Sequence, residues 1–318
     1  MELQSIGTPG LWAGFIIFVI AMLALDLGVF HRKAHVVRFR EALSWSVVWI
    51  ALALVFNAGV WWYFGSQKGV EFLTGYLIEK SLSVDNIFVF VVIFTALRIP
   101  AEYQHRVLFW GILSALVMRA IMIFAGAAMI ARFHWLIYLF GAFLILTGIK
   151  LFLQRGKEGS PEKSWAMRLA YKMIPSTDRF DGSRFFTRVD GRRLATPLFM
   201  ALILVEITDV IFAVDSIPAI FAITLDPFVV FTSNIFAILG LRSLYFLLAD
   251  LVDKFRYLKV GLAAVLVFVG VKMTIVDIYK IPALTSLAIV SALLGVSIVA
   301  SVVTSKKSPP EQDLDLAA

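Results

Sequence analysis

The chain has 318 residues, 60% of them hydrophobic, and its mean hydropathy is +0.89. A soluble protein of this composition would expose too much apolar surface, so an ordinary water-soluble fold is excluded. The formal net charge of +7 lies mainly in loops on one predicted side of a membrane, which argues for an orientation signal and against nucleic-acid binding. No cysteine is present, which excludes disulfides, thiolate metal sites and dithiol redox pairs.

Nine segments are long and apolar enough to span a bilayer as helices. They run over residues 11–30, 42–64, 71–96, 106–130, 133–153, 196–222, 227–249, 257–276 and 283–304. Lysine and arginine are far more frequent in the loops on one side, which the positive-inside rule makes cytoplasmic. We therefore predict an all-α polytopic membrane protein with its N-terminus outside and its C-terminus inside.

The first two spans, within residues 1–70, are predicted to be peripheral helices. Asp26, near the inner end of span one, either reaches a transport pathway as a supporting charge or is a boundary charge. The sequence leaves both interpretations open.

Spans three and six contain related acidic segments. Glu79 and Asp85 are separated by the same interval as Asp209 and Asp215, and Glu206 precedes the second pair. A charge at the centre of a bilayer costs several kcal/mol, so such residues usually have a function. The acidic segments therefore indicate a candidate ion site.

The resemblance continues downstream in the same order. Arg119 in span four corresponds to Arg242 in span seven, and the Gly-x-Lys end of span five corresponds to that of span eight. Units of three spans enter the membrane with opposite orientations, which is the inverted repeat of many secondary transporters. We predict repeat one over 71–153, repeat two over 196–276, and a ninth helix over 277–304.

The only long connection, residues 154–195, is predicted to lie in the cytoplasm. Trp165, Leu169 and Met173 have helical spacing, which predicts a short amphipathic helix on the inner leaflet, ended by Pro175. The Asp-Gly pair at 190–191 predicts a small β-hairpin. A solvated basic loop that only orients the protein is the alternative. The polar tail, 305–318, is predicted to be disordered.

Proline and the polar residues predict irregular helices at the site. Pro218 cannot donate to the carbonyl of Val214, so we expect a break near 214–218 and a milder one near 84–88. The predicted metal ligands carry oxygen donors and are Glu79, Asp85, Asn86, Glu206, Asp209 and Asp215. The predicted supporting residues are Asp26, Lys80, Ser83, Arg119, Val214, Ser216 and Arg242.

Oxygen donors suit Mg²⁺, Ca²⁺ and Mn²⁺ alike. The four histidines fall in or next to loops, which disfavours zinc or copper as the main cargo. The structural alternative is that Glu79 pairs with Lys80, or Glu206 with Arg242, only to hold the fold together.

Residues 79–86 and 206–219 closely resemble the two signature segments of the TerC family of integral membrane proteins, and the chain is most similar to its Alx branch. The resemblance covers nearly the whole chain. It implies a LysE-superfamily-like transporter fold, the bacterial inner membrane as location, and export of manganese.

We therefore expect a secondary transporter that exports a divalent metal ion, with Mn²⁺ as the favoured cargo and proton exchange as one way to drive it. The expected partners are the lipid bilayer, the cation and protons. We expect no nucleic acid, no tightly bound cofactor and no enzymatic activity. The alternatives are a membrane-bound redox or stress modulator without transport, and a scaffold that uses the loop at 154–195.

Overall fold

The computed structural model describes residues 5–28, 39–153, 170–189, 191–249 and 257–305. Its elements, in chain order, are α1 Pro9–Gly28, α2 Phe39–Phe64, α3 Ser66–Ala96, α4 Ala101–Arg132, α5 Leu136–Leu153, β1 Phe186–Val189, β2 Arg192–Ala195, α6 Pro197–Phe221, α7 Pro227–Leu239, α8 Leu241–Leu248, α9 Leu258–Thr274 and α10 Ala283–Ser305.

Each predicted span coincides with a helix, or with two in the case of 227–249. Within the described ranges, five helices are long and apolar enough to cross a membrane, and the bent pair α7–α8 would be a sixth. The chain is thus a mostly helical, polytopic membrane protein. The count of nine spans, the orientation and the domain boundaries stay predictions.

The helices that correspond in the predicted repeats also pack in a reciprocal way. α3 contacts α6, and α5 runs along α9, so equivalent helices meet each other. In addition, α4 packs on α6 while α7 packs on α3, so each unit reaches across to the first helix of the other. This is the arrangement expected of two related halves.

Glycines bring α5 and α9 into close contact. A Cβ at Gly270 would lie 2.6 Å from the carbonyl oxygen of Gly141, and a Cβ at Gly148 would lie 2.8 Å from the carbonyl oxygen of Ala263. Small residues let helix backbones approach in membrane proteins, where dispersion contacts replace the hydrophobic driving force. The backbones of the two helices therefore approach closely at these glycines.

Phenylalanine side chains pack the N-terminal helices α1 and α2 against α3 and α7. The ring of Phe56 on α2 lies 4.9 Å from that of Phe236 on α7, and Phe15 on α1 lies 5.8 Å from the same ring. Phe72 on α3 completes the group at 5.4 Å from Phe56. This aromatic cluster fixes α1 and α2 against the first half-helix of the bent pair.

The predicted breaks in spans three and six are wrong. α6 continues through Pro218 to Phe221, and α3 continues through 84–88. Pro218 lies in the last turn of α6, so only one late backbone hydrogen bond is lost, and residues 216–221 are all buried. Packing of this segment outweighs the lost bond.

The helical structure is interrupted instead at Gly240, where α7 and α8 meet at an angle of 41°. Lys80 of α3 reaches this point and donates to the carbonyl oxygen of Ala237 at 3.3 Å. A Cβ at residue 240 would lie 2.8 Å from the Lys80 ammonium and 3.1 Å from Cβ of Trp49. A side chain at residue 240 would therefore force the Lys80 ammonium to move and Trp49 to shift slightly.

The predicted hairpin is confirmed. β1 and β2 pair antiparallel, with Phe186 opposite Ala195 and Val189 opposite Arg192. Gly191 in the turn has φ of +76°, a conformation that glycine adopts without strain. Of the predicted amphipathic helix, Trp165 and Leu169 lie outside the described residues, as does the tail from 306 onward.

Candidate functional site

Arg119 on α4 lies between two carboxylates that belong to different predicted repeats. Its Nη2 donates to Oδ1 of Asp209 on α6 at 3.0 Å, and its Nη1 forms a salt bridge with Glu79 on α3. The Glu79 side chain is fully buried, and the other two are nearly so. Two carboxylates thus share one guanidinium in the interior of the protein.

Two polar side chains complete the surroundings of Arg119. Its Nη1 lies 3.3 Å from the hydroxyl of Ser216 on α6 and 3.5 Å from the amide oxygen of Asn234 on α7. The network therefore joins α3, α4, α6 and α7. With both acids ionised, it carries one more negative than positive charge.

Several polar atoms on these helices have no hydrogen-bond partner among the described residues. They are Oε2 of Glu79, Oδ1 of Asn86 and Nδ2 of Asn234, and each is buried. Buried polar groups are nearly always hydrogen-bonded, and the exceptions often mark functional sites. Glu79 and Asn86 share one face of α3, since seven residues make about two turns. These buried oxygen atoms of Glu79 and Asn86 are therefore potential metal ligands that accept no hydrogen bond from the described residues.

The remaining predicted acids on α6 face different neighbours. Glu206 accepts a hydrogen bond from Ser114 on α4, whereas Asp215 accepts one from Thr147 on α5 at 3.3 Å. Glu206 also borders an open groove of about 480 Å³ between α4 and α6 that is otherwise mainly apolar, lined in part by Trp110 and Met118. The three acids of α6 are therefore spread along the helix.

The other predicted residues are placed as follows. Ser83 donates to the carbonyl of Glu79 within α3, and the Val214 side chain is exposed. Arg242 on α8 is buried.

The side chains of Asp26 and Asp85 lie outside the described residues. Glu79 pairs with Arg119, and the ammonium of Lys80 donates to a backbone carbonyl.

No three carboxylate or histidine side chains in the described ranges lie close enough together to hold one metal ion. Arg119 lies between Glu79 and Asp209 and pairs with both. The metal role of the six predicted ligands stays a prediction.

A second buried polar cluster, near the start of α3, was missed by the sequence analysis. The Lys68 ammonium lies 2.9 Å from Oε2 of Glu71 and 3.3 Å from Oδ2 of Asp226, and both carboxylates are buried. Thr224 donates to Glu71, and Ser5 donates to Asp226. The sequence signals for this cluster were Glu71 at the start of span three and the Asp226-Pro227 pair before α7. This cluster ties the N-terminal segment to α3 and to the loop before α7.

Asn234, Ser114 and Thr147 were also missed. Each is a neutral polar residue in a mainly apolar helix, and each is identified only by the charged side chain that it contacts. Neutral polar residues are common in membrane helices, so the sequence gives no reason to select these three.

The fold and the site together define a polytopic α-helical membrane protein with a buried ionic network between related helices. Residues 64–309 match the Integral membrane protein TerC family. The chain therefore belongs to the TerC family.

Relatives over nearly the full length agree with this assignment. The chain is 72% identical to "Uncharacterized membrane protein STKORF319" of Myxococcus xanthus over 305 residues, which is 96% of both chains. It is 50% identical to "Putative membrane-bound redox modulator Alx" of Escherichia coli K12, over 92% of this chain and 94% of that protein. The similarity to the Alx branch is thus confirmed. No solved structure matches the chain.

Proposed function

We propose that the protein is a secondary transporter that exports a divalent metal ion, with Mn²⁺ as the favoured cargo, across the bacterial inner membrane. The observation that supports this is the meeting of Glu79 and Asp209, from corresponding helices, on one buried cationic group. Inverted-repeat transporters hold their ions at such a junction. Transport changes no covalent bond, so no catalytic residue is assigned.

In the described conformation, Arg119 supplies the positive charge that the metal ion would supply in the loaded state. A divalent cation between the two carboxylates would neutralise them, so the ion and the guanidinium compete for one position. Ser216 and the amide oxygens of Asn86 and Asn234 add hard donors of the type that suits Mn²⁺.

A displaced Arg119 needs another anionic partner. Glu206 lies one turn before Asp209 on α6 and already contacts Ser114 of α4, the helix that carries Arg119. Movement of the guanidinium toward Glu206 would keep its charge paired while the metal ion is bound. Protons that occupy the carboxylates after metal release would couple export to the proton gradient.

Proteoliposomes that contain the full chain and an internal Mn²⁺-sensitive dye test this function. We expect Mn²⁺ flux with the wild-type protein and its loss with Glu79→Gln and with Asp209→Asn. Asp277→Asn is the matched control, since it removes an exposed carboxylate away from the network. Flux of Asp209→Asn equal to that of the wild type would refute the proposed site. Parallel assays with Mg²⁺, Ca²⁺ and Zn²⁺, with and without a pH gradient, define selectivity and coupling.

The names of the Alx relatives favour a second candidate, a membrane-bound redox modulator. The chain has no cysteine, so such a role here requires a bound redox group. The visible absorption spectrum of protein purified in mild detergent, with extraction for flavin or quinone, tests this candidate. A stoichiometric chromophore supports it, and a colourless preparation without extractable quinone contradicts it.

A further inference from the structure

The hairpin carries an unusual pair of like charges. Arg188 on β1 is directly opposite Arg193 on β2, and both side chains are exposed. Like charges directly opposite each other destabilise an antiparallel pair. Within the described residues, no carboxylate forms a salt bridge with either one. The pair is therefore suited to an anion from outside the chain.

Aromatic contacts place this pair close to the start of α6. The Arg193 guanidinium lies 4.4 Å from the centre of the Phe186 ring, and that ring lies 4.4 Å from the ring of Phe199 in the first turn of α6. β2 ends at Ala195 and α6 begins at Pro197. α6 is one of the helices long and apolar enough to cross a membrane, so a bilayer around it would place the arginines near the membrane surface.

The segment before the hairpin, which is joined to β2 by the bridge between Ser176 and Ala195, also carries exposed basic and apolar side chains. Tyr171 and Met173 are exposed, Met173 by 71%, and Phe180 is also exposed. Further exposed basic residues are Lys172, Arg179, Arg184 and Arg192, of which Arg184 pairs with Asp181 at 3.4 Å. Basic residues together with exposed aromatic and methionine side chains are typical of surfaces that bind anionic membranes.

We propose that the hairpin face formed by Phe186, Arg188 and Arg193 binds the phosphate group of an anionic phospholipid in the adjacent leaflet. The two guanidinium groups offer paired donors of the kind that phosphate oxygens accept bidentately. The exposed apolar residues and the nearby start of α6 favour a lipid over free phosphate. This inference does not depend on the transport proposal.

Lipid binding to the full chain in detergent tests it, with phosphatidylglycerol as the anionic probe and phosphatidylcholine as the zwitterionic one. Native mass spectrometry at increasing lipid concentration gives the apparent affinities. We expect Arg188→Gln/Arg193→Gln to weaken phosphatidylglycerol binding roughly tenfold or more, with phosphatidylcholine binding unchanged. The charge-matched control is Arg179→Gln/Arg192→Gln, which removes two exposed arginines outside this face and should change the affinity far less.

Two results would overturn the proposal. Equal losses in both double variants would mean general attraction by positive charge, and full competition by millimolar inorganic phosphate would mean a site for free phosphate. If Arg188→Gln/Arg193→Gln does not fold, the proposal is tested instead by measuring phosphatidylglycerol binding to the wild type at increasing salt concentration. Phosphatidylglycerol affinity should then fall with ionic strength, and an affinity that does not change with salt would refute the site.

Discussion

Nη2 of Arg119 lies 3.0 Å from Oδ1 of Asp209, and this contact crosses from α4 to α6 in the interior of the protein. Removal of one partner from a buried ion pair leaves an uncompensated charge. Here Arg119 neutralises two acids at once, because Glu79 binds the same guanidinium. The same two acids are the ones that our transport proposal assigns to the metal ion.

Arg119→Met should therefore have two effects. The variant should lose about 3–5 kcal/mol of stability without metal, as expected when a buried pair is broken. Mn²⁺ should then raise its melting temperature more than that of the wild type, because the ion no longer competes with a guanidinium. Thermal unfolding in detergent with and without Mn²⁺ measures both effects.

The control for this experiment is Arg119→Met combined with Asp209→Asn, which removes one of the two metal-binding carboxylates. This double variant should show little stabilisation by Mn²⁺. A single variant that is destabilised but does not respond to Mn²⁺ would mean that the network is a structural ion pair only.

Packing of α5 on α9 gives a second prediction. A Cβ at Gly270 would lie 2.6 Å from the carbonyl oxygen of Gly141, so Gly270→Ala must push the two backbones apart. We expect a loss of about 1–3 kcal/mol, the usual effect of overpacking. Gly295→Ala on α10 is the control, since nothing lies within 4 Å of its added Cβ. Similar melting temperatures for the two variants would contradict close packing of α5 on α9.

The helices were predictable because membrane spans follow from the length and hydropathy of short windows. The hairpin was predictable because Asp-Gly defines a tight turn locally. The position of the helix break was not. Pro218 is a local signal, whereas Gly240 lies where Lys80 and Trp49 approach closely from other helices. Tertiary contacts of this kind are absent from a local sequence pattern.

The same distinction applies to the site. Charged residues in apolar spans drew attention to Glu79, Asp209 and Arg119, since each is costly in a membrane. Their pairing was not predictable, because the sequence alternative joined Glu79 to the adjacent Lys80. Which charge neutralises which depends on how α3, α4 and α6 pack. The buried cluster around Lys68 was missed for a similar reason, since Lys68 and Glu71 at the start of α3 are joined by Asp226, which precedes α7 and is distant in sequence.

The break at Gly240 gives a third prediction. Gly240→Ala would place a methyl group 2.8 Å from the Lys80 ammonium, which would have to leave the carbonyl of Ala237. The variant should be less stable, and Mn²⁺ flux in proteoliposomes should fall, because Lys80 adjoins Glu79 on α3. Gly59→Ala on α2 is the matched control, with nothing within 4 Å of the new Cβ. Normal flux and stability in Gly240→Ala would show that the close approach has no consequence.

The last prediction concerns Asp277, which lies between α9 and α10 and contacts the start of α5. The Tyr138 hydroxyl donates to this carboxylate, and Nε2 of His134 lies 3.1 Å from it. These contacts, the Tyr138 hydrogen bond first, lower the pKa of Asp277 below its ordinary value. A depressed folded-state pKa adds stability that is present above the unfolded-state pKa of about 3.9 and is lost as pH falls through the folded-state value.

Asp277→Asn should therefore melt at a slightly lower temperature than the wild type at neutral pH. The difference should be small, because exposed ion pairs contribute little. It should shrink as the pH falls from about 4 through the lowered pKa of the folded wild-type carboxylate. Tyr138→Phe should raise the pH at which the stabilisation by the Asp277 carboxylate is lost, since it removes the main cause of the lowered pKa. Melting curves of the three proteins between neutral and acidic pH measure this, and a difference that grows on acidification would contradict the assigned contact.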